Sequence, residues 1–86
     1  MMSPELVKLG LRVRVATLND ALLRDAPLEC KPLIKSRREG ATGKVAYIPE
    51  RQGPIAIFSV VQHDSPIQTG NVRAVYHCDE LEGDNT

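Results

Sequence analysis

Polar and apolar residues alternate in the stretch LRVRVAT, residues 11–17, and this alternation is the first clear structural signal in the chain. Leu11, Val13 and Val15 fall on one side of an extended backbone, whereas the intervening arginines fall on the other. A period of two residues is typical of a strand that buries one face. We therefore predict a first strand here, with its arginines facing outward.

Three further segments have the composition of strands. They are GKVAYI (43–48), IAIFSVVQ (55–62) and VRAVYH (72–77). The middle segment is apolar at successive positions, which is expected of a central strand covered on both faces. In VRAVYH, we expect Val72, Ala74 and Tyr76 to share one side. Turn-forming residues separate the segments, at 49–54 and 64–71, so we predict a hairpin followed by a fourth strand.

The acidic segment DELEGDNT, residues 79–86, closes the chain. We expect a tight turn at Asp79–Leu81, one last short strand pairing and a frayed end. Before the second strand, Gly43 is expected at a left-handed or closely packed backbone position, since glycine is the residue that tolerates both.

The connection between the first two strands is long and contains the only helical signal. Asn19 or Asp20 can cap a short helix that ends before Pro27. Beyond it we expect a loop in which Leu28, Leu33 and Ile34 fold back over an open end of the core. About five short strands with so little helix predict an all-β fold, a small antiparallel barrel. It should form a single domain over residues 1–86, with frayed ends at about 1–8 and 83–86.

Composition limits the function more than it specifies it. The chain has 86 residues, of which 42% are hydrophobic and only 3% aromatic, so the core must be aliphatic. The formal net charge is zero, which gives no overall electrostatic reason to bind nucleic acid or an anionic membrane. No apolar run approaches the length of a membrane span, and the start MMSPELVKLG lacks the apolar region of a secretory signal. We therefore expect a cytoplasmic protein with two unpaired thiols, Cys30 and Cys78, although a bridge between them stays open.

Short anchors along residues 9–82 resemble small SH3-like barrels. The chain is similar in particular to the barrel subunit of photosystem I, the variable chain of ferredoxin-thioredoxin reductase and the barrel domain of nitrile hydratase beta subunits. The anchors are Gly10 with Arg12–Val15, Gly40 with Gly43 and Val45, and the acidic close at Asp79–Leu81. The resemblance implies an SH3-like barrel of about five strands and a docking or accessory role without chemistry of its own. Nothing in the chain matches the metal-binding cysteine cluster that the nitrile hydratase partner subunit carries.

Two clusters of potential metal ligands can be named. His63 precedes Asp64, and His77, Cys78 and Asp79 are consecutive. Because adjacent residues of a strand point to opposite faces, His77 and Cys78 are not expected to share an ion. Adjacency in sequence also gives Cys78 no oriented base, as a nucleophilic enzyme requires. We therefore predict no metal, no cofactor and no catalytic residue.

A basic segment, residues 31–51, is the candidate binding site. Its exposed cations are expected to be Lys31, Lys35, Arg37, Arg38, Lys44 and Arg51. They outnumber the acidic residues of the segment, Glu39 and Glu50, and could bind phosphate electrostatically. Few aromatic residues are available to stack on bases, and the acidic tail could neutralise the patch. We therefore favour a non-catalytic module that docks on a protein partner, with a nucleic-acid-binding barrel as the alternative and a homodimer through open sheet edges as a further option.

Overall fold

A computed structural model of the chain describes residues 2–53, 55–64 and 73–84. It contains one antiparallel sheet of five strands in the order β4-β3-β2-β1-β5. The strands are β1 (Arg12–Val15), β2 (Thr42–Tyr47), β3 (Phe58–His63), β4 (Arg73–His77) and β5 (Leu81–Gly83). The short 3₁₀ helices are η1 (Pro4–Leu6), η2 (Asp20–Asp25), η3 (Leu28–Ser36), η4 (Glu50–Gln52) and η5 (Cys78–Glu80). The prediction of five short antiparallel strands with little helix is confirmed.

Consecutive strands pair from β1 to β4, and the chain then returns to place β5 beside β1. Val13 lies opposite Gly43 of β2 and Gly83 of β5, so β1 is paired on both sides. β3 is likewise paired on both sides, by β2 and β4. The ladder between β2 and β3 shifts register between Val45 and Tyr47. β2 ends just beyond this irregularity and pairs with β3 no further, so the backbone groups of the first residues of β3 require another hydrogen-bond partner.

The prediction of a closed barrel is wrong. Among the described residues, β4 and β5 are each paired on one side only, so the sheet is open. The sheet does not need to close in order to bury its apolar residues, because both faces of its β3–β4 half are covered. One face packs on the main core, and η2 and η3 cover the other.

The buried residues form two aliphatic clusters on the two faces of the sheet. The main cluster is built on inward residues of all five strands: Val13, Val15, Val45, Val61, Ala74, Tyr76 and Leu81. The second cluster packs Leu23, Ala26 and Cys30 of the connecting segment against the opposite face of β3 and β4: Phe58, Val60 and Val75. The alternation predicted for the first strand is confirmed, since Val13 and Val15 are buried and Arg14 is exposed.

The long connection between β1 and β2 contains more helix than we predicted. Asn19 caps η2 by accepting a hydrogen bond from the Ala21 N–H group, and the helix ends at Asp25, as expected. The segment predicted as a loop forms η3 instead. Within it Leu33 and Ile34 pack against the second cluster as predicted, whereas Leu28 is 79% exposed and covers nothing.

The chain ends are better packed than a frayed terminus. Met2 and Val7 are buried in the main cluster, and the Met2 N–H group donates to the Cys78 carbonyl at 3.1 Å. At the other end, the Asp84 N–H group donates to the Arg12 carbonyl at 3.2 Å. Residues 2–7 and 83–84, which we expected to be frayed, thus include residues that contact the rest of the fold. Val72 and the loop 65–71 lie outside the described residues.

Gly43 is needed for close packing and not for a left-handed backbone. Its φ is not positive, and the left-handed glycine before β2 is Gly40, at φ 84°. A Cβ atom on Gly43 would lie 2.1 Å from the Gln62 carbonyl oxygen on β3. The left-handed half of our expectation is wrong, and the close-packed half is confirmed.

Among the described residues, no helix is long and apolar enough to cross a membrane.

Candidate functional site

A groove of about 700 Å³ runs between η2, the turn at η4 and the first residues of β3. This volume is typical of clefts that hold a ligand or a few peptide side chains. The described residues that line the groove are Ala21, Leu22, Arg24, Asp25, Pro27, Arg51, Gln52, Ile57, Phe58 and His77. Ile57 precedes β3 and is 39% exposed, although it is one of the larger apolar side chains of the protein. The lining of the groove therefore combines an accessible apolar side chain with polar and charged residues.

Gln52 fastens one wall of the groove to the sheet. Its side-chain amide donates to the Phe58 carbonyl at 2.7 Å, and its Oε1 accepts from the Phe58 N–H group at 2.6 Å. These are the two bonds that a neighbouring strand would make. Because β2 has left β3 at this point, the glutamine takes the place of the missing strand and satisfies the buried backbone. The position of η4 beside Phe58 is thereby fixed.

Glu80 and Arg37 fasten the other wall. The carboxylate of Glu80 accepts hydrogen bonds from the Asn19 N–H group at 2.7 Å and the His77 N–H group at 2.9 Å. Arg37 donates to both Glu80 oxygens, to the Val75 carbonyl at 3.0 Å and to Asp20 at 3.3 Å. The side chains of Arg37 and Glu80 are 3% and 0% exposed, so this is a buried ion pair. It ties the start of η2 to the end of β4.

The pKa of Glu80 reflects this network. Burial acts to raise the pKa of the carboxyl, but the hydrogen bonds from Arg37, Asn19 and His77 outweigh it and hold the pKa below its usual range. The group is therefore a carboxylate at neutral pH, and its charge is compensated within the fold.

Two cations at the rim of the groove have no such compensation. Arg24 and Arg51 are exposed, and neither takes part in an ion pair among the described residues. Asp25 is the only acidic residue among the described residues that line the groove. The described lining of the groove thus carries two positive charges and one negative charge beside apolar side chains.

His77 contributes a hydrogen-bond donor to the same groove. Its Nδ1 accepts from the Asp79 N–H group at 3.0 Å, which places the proton of the neutral ring on Nε2. The ring packs edge-on against Phe58, with 5.1 Å between the ring centroids. The nitrogen that is not used by the turn is therefore an N–H group on a ring that lines the groove.

The structure does not gather the predicted basic segment into one site. Arg37 is buried in its pair with Glu80, so the expectation that its side chain is exposed is wrong. The other five cations are exposed: Lys31, Lys35, Arg38, Lys44 and Arg51. They belong to η3, the following turn, β2 and η4. Of the five, only Arg51 lines the groove.

His77, Cys78 and Asp79 come together more closely than we expected. Their potential ligand atoms lie within 4.8 Å of one another, because the chain leaves β4 for the tight turn of η5 and the strand argument does not apply. The cluster already has a structural role. His77 Nδ1 is engaged by the Asp79 N–H group, and Glu80 completes the cap by accepting from the His77 N–H group. Burial, with the nearby Asp79, raises the pKa of the Cys78 thiol, which keeps it protonated. Both cysteines are buried and unpaired, as expected.

His63 forms a second polar contact inside the fold. Its Nε2 lies 2.8 Å from the Tyr76 hydroxyl, which also accepts from the Arg38 N–H group. Burial, and to a lesser degree the charge of Arg38, lowers the pKa of His63. The pair lies on the main core face and holds the turn before β2 to β4. Neither group touches the groove.

Sequence reasoning missed the groove residues Arg24, Gln52 and Ile57, and it considered His77 only as a potential metal ligand. One signal was present: the apolar run at 55–58 is longer than the strand that begins at Phe58, so Ile57 has no ladder position that would bury it. Comparison with known proteins adds no assignment, since no family model, no curated protein and no solved structure matches the chain.

Proposed function

We propose that the protein is a non-catalytic binding module that docks a segment of a partner protein in the groove between η2, η4 and β3. The observation that carries this proposal is the lining of the groove, where Ile57 stays 39% exposed among polar and charged residues. An accessible apolar strip with a polar rim is the usual anatomy of a protein-binding surface. No catalytic step is part of the proposal.

The SH3-like relationship belongs to the same proposal. It is supported by the five short antiparallel strands and by the long connection between β1 and β2, which supplies one wall of the groove. An accessory role of this kind needs only a shaped surface. The two fastened walls supply such a surface.

A matched pair of isoleucines allows a sharp test. Ile55 and Ile57 are 38% and 39% exposed, but only Ile57 lines the groove. A displayed library of random 12-residue peptides is selected on the wild-type protein, and recovered peptides are measured against Ile57→Ser and Ile55→Ser. We expect peptides that bind the wild type and Ile55→Ser equally but bind Ile57→Ser at least tenfold more weakly. Such a loss corresponds to about 1.4 kcal/mol, within the range for removing one buried apolar contact.

Peptides that bind all three proteins equally, or no recovered peptide, would count against the proposal. The nucleic-acid alternative is tested on the same samples with a 20-nucleotide single-stranded DNA at low salt. Loss of that binding in Lys31→Gln and Lys35→Gln, with no effect of Ile57→Ser, would favour the alternative. Light scattering of the wild type tests the homodimer prediction, which the unpaired outer sides of β4 and β5 leave in place.

A further inference from the structure

Among the described residues, three arginines outside the groove are held in ion pairs, whereas the two that line the groove are not. Arg12 pairs with Asp64 and Asp84, Arg14 with Glu82, and Arg37 with Glu80. Arg24 and Arg51 have no ion pair among the described residues, and both line the groove. Exposed cations elsewhere, such as Lys35 and Arg38, also have no ion pair among the described residues, but only Arg24 and Arg51 line the groove together with the exposed Ile57.

The donors around the groove suit a planar anion. Each guanidinium presents two parallel N–H groups that match the two oxygens of a carboxylate. The Nε2–H group of His77 is a third donor on the same lining, and its tautomer is fixed by the Asp79 N–H group. The same lining includes the apolar side chains of Ile57 and Phe58. A ligand that fits must place an apolar group next to a negative charge.

We propose that the partner segment bound here is acidic, and presents a carboxylate to Arg24 and Arg51 beside an apolar side chain on Ile57. The inference deepens the proposed function and rests on it. Asp25 at the same rim disfavours a second negative charge close by, so one carboxylate next to the apolar anchor is preferred over a run of acidic residues. The carboxylate is an Asp or Glu side chain of that segment, and binding through the C-terminus of the partner chain is an outcome that the test separates.

The test uses synthetic versions of the peptides recovered on the wild-type protein. Each is made in three forms: with an amidated C-terminus, with a free C-terminus, and amidated with its acidic residues replaced by Asn or Gln. Binding is measured by fluorescence anisotropy at 50 and 300 mM salt on wild type, Arg24→Gln and Arg51→Gln. Lys35→Gln is the control, because it removes the same charge from an exposed site outside the groove.

We expect the recovered peptides to be enriched in Asp or Glu beside an apolar residue. Arg24→Gln and Arg51→Gln should each weaken binding by about threefold to tenfold, as expected for one charge-assisted contact at a partly exposed site. High salt should weaken binding of the wild type and reduce the effect of both variants, whereas Lys35→Gln should bind like the wild type. Replacing the acidic side chains should cost a similar factor. If only the free C-terminal form binds, the carboxylate is that of the chain end, and the assignment to an acidic side chain is overturned.

The inference and the proposed function fail in different ways. Peptides that need Ile57 but carry no carboxylate, and bind both arginine variants normally, would overturn the inference and leave the docking function standing. Equal losses in Lys35→Gln and the two arginine variants would also overturn it, since the effect would then follow net charge and not the groove. Recovery of peptides that ignore Ile57 would overturn both.

Discussion

Replacing Arg37 by alanine should destabilise the protein severely, although the sequence places this residue in an ordinary basic loop. Its guanidinium is buried and donates to Glu80, the Val75 carbonyl and Asp20, and it lies 5.4 Å from the centre of the Tyr76 ring. Alanine removes all of these donors. The carboxylate of Glu80 then stays in the interior with backbone N–H groups as its only partners.

The magnitude follows from the burial of both partners. Removing one member of a buried ion pair costs about 3 to 5 kcal/mol, because the other charge is left uncompensated. A domain of this length has a total stability of about 4 to 13 kcal/mol. The Arg37→Ala variant should therefore lose a large fraction of its stability. Since 1 kcal/mol shifts the melting temperature of such a domain by about 4 to 8 °C, we expect a drop of at least about 12 °C.

Urea titration and thermal melting followed by circular dichroism measure this loss. Arg38→Ala is the matched control, because Arg38 is the adjacent arginine but its side chain is exposed. We expect that control to change stability by less than about 0.5 kcal/mol. The double variant Arg37→Met with Glu80→Gln should recover part of the loss. Its uncharged amide oxygen can still accept from the backbone N–H groups, and no buried charge is left alone.

The pH dependence of the folding stability provides an independent test of this ion pair. Hydrogen bonds hold the pKa of Glu80 below its usual value of 4.5, so the carboxylate stabilises the parent above that pH and the contribution is lost as the pH falls. In Arg37→Ala, burial without the cation should raise the same pKa, and protonation then relieves the buried charge. The gap in stability between parent and variant should shrink from pH 7 to pH 4.5. A variant that melts within about 3 °C of the parent, or a gap that widens in acid, would refute this account.

Two further predictions concern the core. Gly43→Ala should lower the free energy of unfolding by about 1 to 3 kcal/mol in a urea titration, because the added Cβ would meet the backbone of β3. The control Gly83→Ala changes a strand glycine with open space around it and should lower this free energy by less than about 0.5 kcal/mol; equal losses would contradict the close-packing argument. Burial lowers the pKa of His63, so protonation favours the unfolded chain and stability should fall as the pH drops below 6.5; His63→Gln should show a shallower fall, and an unchanged slope would contradict it.

The sequence pattern was sufficient for the strands and insufficient for the interior polar groups. Alternation around Val13 reflects a local property, the two faces of one strand, so it predicts burial directly. Arg37 and Arg38 are adjacent, of one residue type and in one basic segment, and yet one is buried and the other exposed. What separates them is the position of Glu80, more than 40 residues away along the chain. A pairing of that kind depends on the tertiary fold, and local composition carries no trace of it.

The groove was unpredictable for a related reason, and the same contacts explain why it is pre-formed. One wall is held by Gln52, whose side-chain amide replaces a missing strand beside Phe58. The other wall is held by Glu80, which accepts a hydrogen bond from the Asn19 N–H group and is paired with Arg37. Each wall is thus fixed by a side chain that bonds to the backbone of a distant segment. A surface fixed in this way loses little conformational entropy when a ligand binds. The buried ion pair therefore supports the walls of the groove as well as the fold, without lining the groove itself.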